Sequence, residues 1–259
     1  MRPARFAAVA AILAVAAATA IAAPRSTIPP ADFADFAYRQ NLGAPLPLDT
    51  MLRGPDGQPV ALRSLFGTAP VLIDFEYDRC TTLCGVMLDQ VIAALAAAHL
   101  RPGRDYRVAA IDIDPATTTR DAGAFAHEHG ADGPGVTVLT GAPSAIRGIA
   151  DAAGFPYRRD AATGQFAHPA GIVIATPDGH IARYLLGLSW RPFDLRLALI
   201  EAAGGGVAAP AEQVLLFCYC YDPQSGQYDL AVAKLLEIVG AVTLLGLGTI
   251  VFLAARRVG

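Results

Sequence analysis

The sequence predicts an α/β domain built on a partly parallel sheet, set between two apolar terminal segments, the second of them a transmembrane helix. Three observations predict it. Strand-like and helix-like stretches alternate three times along the middle of the chain, which calls for parallel strands joined by crossover helices. Two turn-linked apolar stretches then add an antiparallel edge. The 259 residues are 54% hydrophobic and 17% charged, with a mean hydropathy of +0.41, and the apolar excess lies at the two ends.

Arg2 and Arg5 precede an almost wholly Ala, Val, Ile and Leu run that Pro24 and Arg25 stop. Residues 1–22 read as a signal peptide cleaved after Ala22, with a retained N-terminal anchor as the alternative. Residues 23–45 are rich in Pro and Ala and read as a tether, and the main domain is expected over residues 46–206. Residues 48–53 and 59–62 flank Gly54-Pro55-Asp56-Gly57 and form an N-terminal β-hairpin. Residues 71–77 (VLIDFEY) are a buried strand, followed by a helix from about residue 82 to 98. Residues 106–113 are a second strand and 117–129 an amphipathic helix. A short strand at 136–139 precedes a helix at 143–153 with Pro143 in its first turn. Residues 157–160 and 165–167 flank one hairpin turn; 172–176 and 180–186 pair across Pro177-Asp178-Gly179. Arg191-Pro192 opens the last helix, which Gly204-Gly205-Gly206 ends.

Residues 207–233 form a Cys- and Tyr-rich juxtamembrane stretch in which Tyr219, Tyr221 and Tyr228 suit interfacial anchoring. Residues 234–255 are long and apolar enough to span a bilayer, which needs about 20 residues. Arg256 and Arg257 then place the tail, 256–259, in the cytoplasm and the domain outside.

Lys and Arg number 20 against 23 Asp and Glu, a net charge of -3, so no basic field exists to hold nucleic acid. No Gly-x-Gly-x-x-Gly opens a helix and no Walker motif is present, which removes support for nucleotide cofactors. The four cysteines form two tight pairs, Cys80/Cys84 and Cys218/Cys220.

Cys80 and Cys84 stand where a buried strand meets a helix. In regular helix their Cα atoms would lie about 6 Å apart along the axis, near the upper limit for a disulfide. Two thiolates at that distance can share a metal ion, and a helix N-terminus favours the thiolate. A structural disulfide is the alternative, although so short a loop removes little chain entropy. Two thiolates do not close a zinc site, which takes four ligands, so a histidine is sought. His99 sits at a helix end, where a histidine is merely favourable; His127 and His129 sit on a polar helix tail and read as solvated, with a surface metal clip as the alternative; His180 sits in a hairpin turn and reads as exposed. His168 lies between the two hairpins, just before an apolar strand, and reads either as structural or as the third ligand.

Taken in order, Cys80-Thr81-Thr82-Leu83-Cys84 after VLIDFEY, Ile111-Asp112-Ile113-Asp114-Pro115, and His168 before Gly171-Ile172-Val173-Ile174 resemble the Sco/SenC family of copper-binding proteins. The resemblance runs over about residues 46–203. It implies a thioredoxin-like fold with an N-terminal β-hairpin extension, here joined to one C-terminal transmembrane helix. It implies copper, Cu(I) or Cu(II), held by Cys80, Cys84 and His168, a donor set that suits copper and leaves an open side for transfer. It further implies delivery to the dinuclear copper site of cytochrome c oxidase subunit II, from an inner-membrane protein whose domain faces the periplasm. Asp112, Asp114, Glu76 and Asp78 lie near strand ends facing this site, where they can support the ligands or meet a partner; Asp112 and Asp114 also suit turns.

The sequence departs from the family's frequent Cys-Pro-x-x-Cys-Pro at Thr81 and Gly85, which removes no ligand. His168-Pro169 and the Cys218–Pro223 stretch resemble a membrane-anchored subgroup, in which histidine is the commoner residue at the position of Cys220. Cys218 and Cys220 fit a second Cu(I) site, electron or metal transfer, a strained disulfide or simple packing. Two other functions stand beside copper delivery. One is a thiol-disulfide oxidoreductase in which Cys80 and Cys84 are catalytic and reduce the target's cysteines; the other is a copper or redox sensor.

Overall fold

A five-stranded sheet forms the centre of the molecule; the computed structural model describes residues 35–78, 84–204, 219–222, 226–230, 239–246 and 249. Strands β1 (Met51–Arg53) and β2 (Pro59–Ala61) make the N-terminal hairpin. Then β3 (Val71–Glu76), α1 (Cys84–Ala97), β4 (Arg107–Asp112), α2 (Thr119–Glu128), β5 (Val136–Leu139) and α3 (Pro143–Ala152) form the successive βα units. The pair β6 (Arg158–Arg159) and β7 (Phe166–Ala167) leads to β8 (Gly171–Ala175), β9 (Ile181–Leu186) and α4 (Pro192–Ala202). The sheet order is β5-β4-β3-β8-β9, parallel among β3, β4 and β5 and antiparallel where β8 meets β3 and β9.

Every residue of β3 is buried, because the sheet is covered on both faces. Val71, Ile73 and Phe75 face a layer shared with Leu52, with Ile146 and Ile149 of α3, and with Phe155. Leu72 faces the opposite layer, filled by Leu88, Val91 and Leu95 of α1, Phe125 of α2, and Leu195 and Leu199 of α4. Side chains alternate along a strand, so Asp74 and Glu76 continue the Leu72 face. Helix α2 opens on a reciprocal cap between Thr118 and Asp121, and α3 and α4 each open on a proline.

Parts of the expected tether and of the expected juxtamembrane stretch pack on this frame. Tyr38 donates its hydroxyl to the Gly171 carbonyl at 3.0 Å and stands 5.3 Å from the Tyr184 ring. Nearby, the Arg39 amide donates to the Gly154 carbonyl at 2.9 Å. A Cβ on Gly154, whose φ is +61°, would stand 1.8 Å from the Arg39 carbonyl oxygen, so this docking requires glycine. Farther along, β10 (Tyr219–Asp222) and β11 (Gln227–Leu230) form an antiparallel hairpin. Tyr228 is only 2% exposed and donates to Glu201 Oε2 at 2.5 Å, while the Tyr221 hydroxyl bonds the Tyr184 carbonyl. These tyrosines, read from the sequence as membrane-interface anchors, are instead packed against α4 and β9.

The fold is the α/β arrangement expected, but the C-terminal transmembrane helix is a correction: among the described residues no helix is long and apolar enough to cross a membrane. Within 234–255 the described residues, 239–246 and 249, are helical, and no described helix reaches the roughly 20 residues that a span needs. Residues 1–34, with the signal-peptide reading, lie outside the described residues.

Candidate metal centre

Sheet topology brings three chain segments to one edge. Strands β3 and β4 run parallel with Glu76 opposite Asp112, and β8 runs antiparallel to β3 with Val173 opposite Ile73. The exits of β3 and β4 and the entry to β8 therefore share an end. The exit of β3 leads to Cys80, and α1 starts at Cys84. Cys80 and the side chain of Cys84 lie outside the described residues, as does Cys218. The start of α1 is a position that favours negative charge, through the unpaired amides of a first helical turn.

His168 stands at the entry to β8. Its ring packs 5.6 Å from Phe155, which stacks 4.4 Å from Phe75 of β3. Tyr77, just beyond β3, meets Phe166 of β7 at 5.2 Å. These rings hold the β7–β8 connection against the end of β3, toward the cysteine segment. His168 Nδ1 lies 2.9 Å from the Pro169 carbonyl oxygen. A carbonyl oxygen only accepts, so Nδ1 carries the proton and Nε2 is the lone-pair nitrogen. Burial lowers the imidazole pKa and outweighs the carbonyl bond that raises it, so the ring is held neutral, the form that ligates a soft metal. Of the expected donors the imidazole is the one the structure describes, and its neutral form suits copper. Among the described residues, no group of three or more His, Cys, Asp or Glu side chains could hold a metal ion.

The other histidines separate from this end. His99 is exposed and takes φ +56° in the turn that ends α1. His127 pairs with Asp132 at 3.0 Å and His180 with Asp178 at 3.1 Å, both largely in solvent. His129, read as solvated, is packed instead: its side chain is 17% exposed, with Nδ1 2.9 Å from Asp89. A Cβ at Gly85 would lie 2.5 Å from His129 Cε1, so a proline there, as in much of the family pattern, would collide with this ring.

The acidic residues at the sheet edge divide by partner. Asp112 accepts from the amides of Asp78 at 3.1 Å and Asp114 at 2.6 Å, and Asp114 accepts from Ala116 at 2.9 Å; both are turn roles. Asp78 accepts from the Thr117 hydroxyl at 3.0 Å and lines an open acidic cleft with Asp121 and Glu128. Asp74 and Glu76 are 0% and 1% exposed, and none of their four carboxyl oxygens has a hydrogen-bond partner. Burial pushes Asp74 up to about 7 and Glu76 well above its usual range, the latter helped by Asp74, Asp112 and Asp78; Asp112 is also pushed up to about 7, mainly by burial. Sequence reasoning missed Asp74. The signal was present in VLIDFEY: a strand buried on both faces takes its acids into the core with it.

The SCO1/SenC family model matches residues 51–192, more than half of the chain. The chain belongs to the SCO1/SenC family. A protein from Aquifex aeolicus VF5 shares 27% identity over 64% of this chain and 96% of its own, with a TM-score of 0.60. A SCO1/SenC family lipoprotein from Bacillus anthracis str. Ames shares 21% over 61% and 93%, with a TM-score of 0.52. Arabidopsis thaliana ScoI, solved with copper bound, shares 19% over 64% and 96%, with a TM-score of 0.49. No curated protein matches the chain. The thioredoxin-like fold is thereby shared with Sco proteins, which are cytochrome c oxidase assembly proteins, and copper-bound structures exist for several of them.

Proposed function

We propose that this Sco protein carries copper on Cys80, Cys84 and His168 Nε2 and delivers it to the dinuclear copper site of a cytochrome c oxidase subunit II, on the periplasmic side of the inner membrane. The observation that carries the reading is His168. Its Nδ1 is committed to Pro169, its ring is lodged against Phe155 at the sheet edge that the cysteines enter, and Nε2 remains to bind. Two thiolates and an imidazole are soft and borderline donors that prefer copper to hard cations, and three ligands leave one side from which a recipient's thiols can take the ion. The export reading rests on residues 1–22 and on two cysteine pairs in a chain of this length.

Anaerobic Cu(I) titration of the full chain carrying Cys218→Ser and Cys220→Ser tests it. His168→Ala should weaken binding by more than the ~10–100-fold that changes around a metal's ligands cause; unchanged affinity would falsify the three-ligand site. A second reading, reduction of the target's cysteines, is favoured by the placement of Cys84 at the start of α1. It separates cleanly: His168→Ala should spare disulfide exchange, whereas Cys80→Ser or Cys84→Ser should end both activities.

A further inference from the structure

The segment before β1 lies on the same face of the sheet as His168 and is held there residue by residue. The Tyr38 hydroxyl donates to the Gly171 carbonyl at 3.0 Å, the Arg39 amide to the Gly154 carbonyl at 2.9 Å, and the Asn41 side chain to the Ala152 carbonyl at 3.1 Å. The Asn41 amide donates to the Tyr184 hydroxyl at 3.0 Å, and that hydroxyl donates to the Ala153 carbonyl at 3.1 Å. The Tyr38 ring stands 5.5 Å from Phe155 and 5.3 Å from Tyr184. Phe155 in turn stacks on Phe75 at 4.4 Å and meets the His168 ring at 5.6 Å. Tyr38 therefore touches both supports of the histidine: the ring that His168 lies against, and the carbonyl that closes the loop 168–171. That loop has little slack. Gly171 has φ +148°, and a Cβ there would stand 2.8 Å from the Leu185 carbonyl oxygen and 3.2 Å from Tyr38 Cε2, while the Gly187 amide donates to the Ala170 carbonyl at 3.1 Å. Packing alone would be met by a phenylalanine at position 38; the hydroxyl adds a directed bond to the loop that carries the imidazole.

We propose that Tyr38 is a positioning residue for His168, fixing its imidazole through the Phe155 ring and the Gly171 carbonyl, so that the seating of residues 38–41 sets how firmly the chain holds its copper. The inference rests on reading His168 as a copper ligand. With the segment seated, Phe155 is confined between Phe75 and Tyr38, and the His168 ring has one surface to lie against. Nδ1 stays on the Pro169 carbonyl and Nε2 keeps one direction. Without Tyr38, Phe155 gains room on one side and the loop loses its bond at Gly171. The imidazole then samples further rotamers and both tautomers. A ligand already held in one orientation gives up less freedom when it binds, so its grip on the ion is tighter and release is slower.

The test uses the full chain carrying Cys218→Ser and Cys220→Ser, with Tyr38→Phe, which keeps the ring and loses the bond, or Tyr38→Leu, which loses both; thermal unfolding selects conditions in which each variant is folded. Nitrogen NMR spectra of the isotope-labelled, metal-free histidine side chains read the tautomer, the His168 signals being identified by their loss in His168→Ala. The parent should show the Nδ1-protonated form, Tyr38→Leu signals averaged between the two tautomers, and Tyr38→Phe signals in between. A residue that merely fills the core lowers stability and leaves the His168 signals of the folded chain where they were. The second readout is the rate at which a chelator strips Cu(I). Tyr38→Leu should speed it about two- to tenfold, the size of one aromatic contact, and should add nothing when His168→Ala is also present. His168 signals identical to the parent's in both folded variants, or the same acceleration with and without His168, would overturn the proposal. If His168→Ala leaves copper binding unchanged, the metal-free spectra still decide the role of Tyr38, and identical spectra leave the copper site standing.

Discussion

At the scale of single residues, burial does opposite things to an imidazole on one face of the sheet and to carboxyls on the other. Burial keeps His168 neutral and ready to ligate, and keeps protons on Asp74 and Glu76. The carboxyls also shape stability. Below about pH 4 they are protonated folded or unfolded; between about pH 4 and 7 the folded chain holds protons that the unfolded chain has released. The folded state then binds more protons, so stability falls as pH rises through that window, by an amount on the order of a few kcal/mol. Urea unfolding of Asp74→Asn should show a flatter dependence between about pH 5 and 8 than the parent chain, and equal slopes would remove Asp74 as the cause. At this scale Cys80 and Cys84 stood out by their spacing, and His168 by its place in the family pattern. Asp74 did not, because its significance lies in lacking partners, which only a packed structure reveals; His129 was misread because the room beside it comes from Gly85, on another helix.

At the scale of elements, periodicity located the sheet and its helices to within a few residues, since alternation and amphipathic spacing are what the two-sided burial of β3, β4 and β8 requires. The β10–β11 hairpin was not legible. Its tyrosines alternate with Cys and Asp beside an apolar run, a pattern that suits a membrane surface as well as a docked hairpin. What decides between them is tertiary: the Tyr228 hydroxyl reaches Glu201, which also pairs with Arg183, and Arg191 donates to the Tyr228 carbonyl at 3.0 Å. Removing the buried Tyr228 ring leaves a cavity and orphans this contact. Tyr228→Ala should destabilise the chain by about 3–5 kcal/mol, the usual range for buried aromatics. A loss below about 1 kcal/mol on thermal or urea unfolding would mean that the hairpin is not part of the cooperative unit.

At the scale of the whole molecule, a thioredoxin-like sheet gathers onto one edge what the sequence scatters over almost ninety positions: the cysteine segment after β3, the acidic turn after β4, and the histidine before β8. The antiparallel turn of β8 against β3 does this, since a parallel strand would have sent His168 to the far edge. The N-terminal segment and the C-terminal hairpin brace the opposite flanks of β8 and β9 through Tyr38 and Tyr221, so the edge carrying the site is set on a framed, two-layered core. Copper held at that edge by this chain's own residues is the claim on which the rest depends. X-ray absorption at the copper edge of the anaerobically loaded full chain, with Cys218 and Cys220 both changed to Ser, reads the ligands directly. Two sulfur neighbours and one nitrogen, the nitrogen lost in His168→Ala, is the expected shell; a shell without sulfur, or one that His168→Ala leaves unaltered, would contradict it.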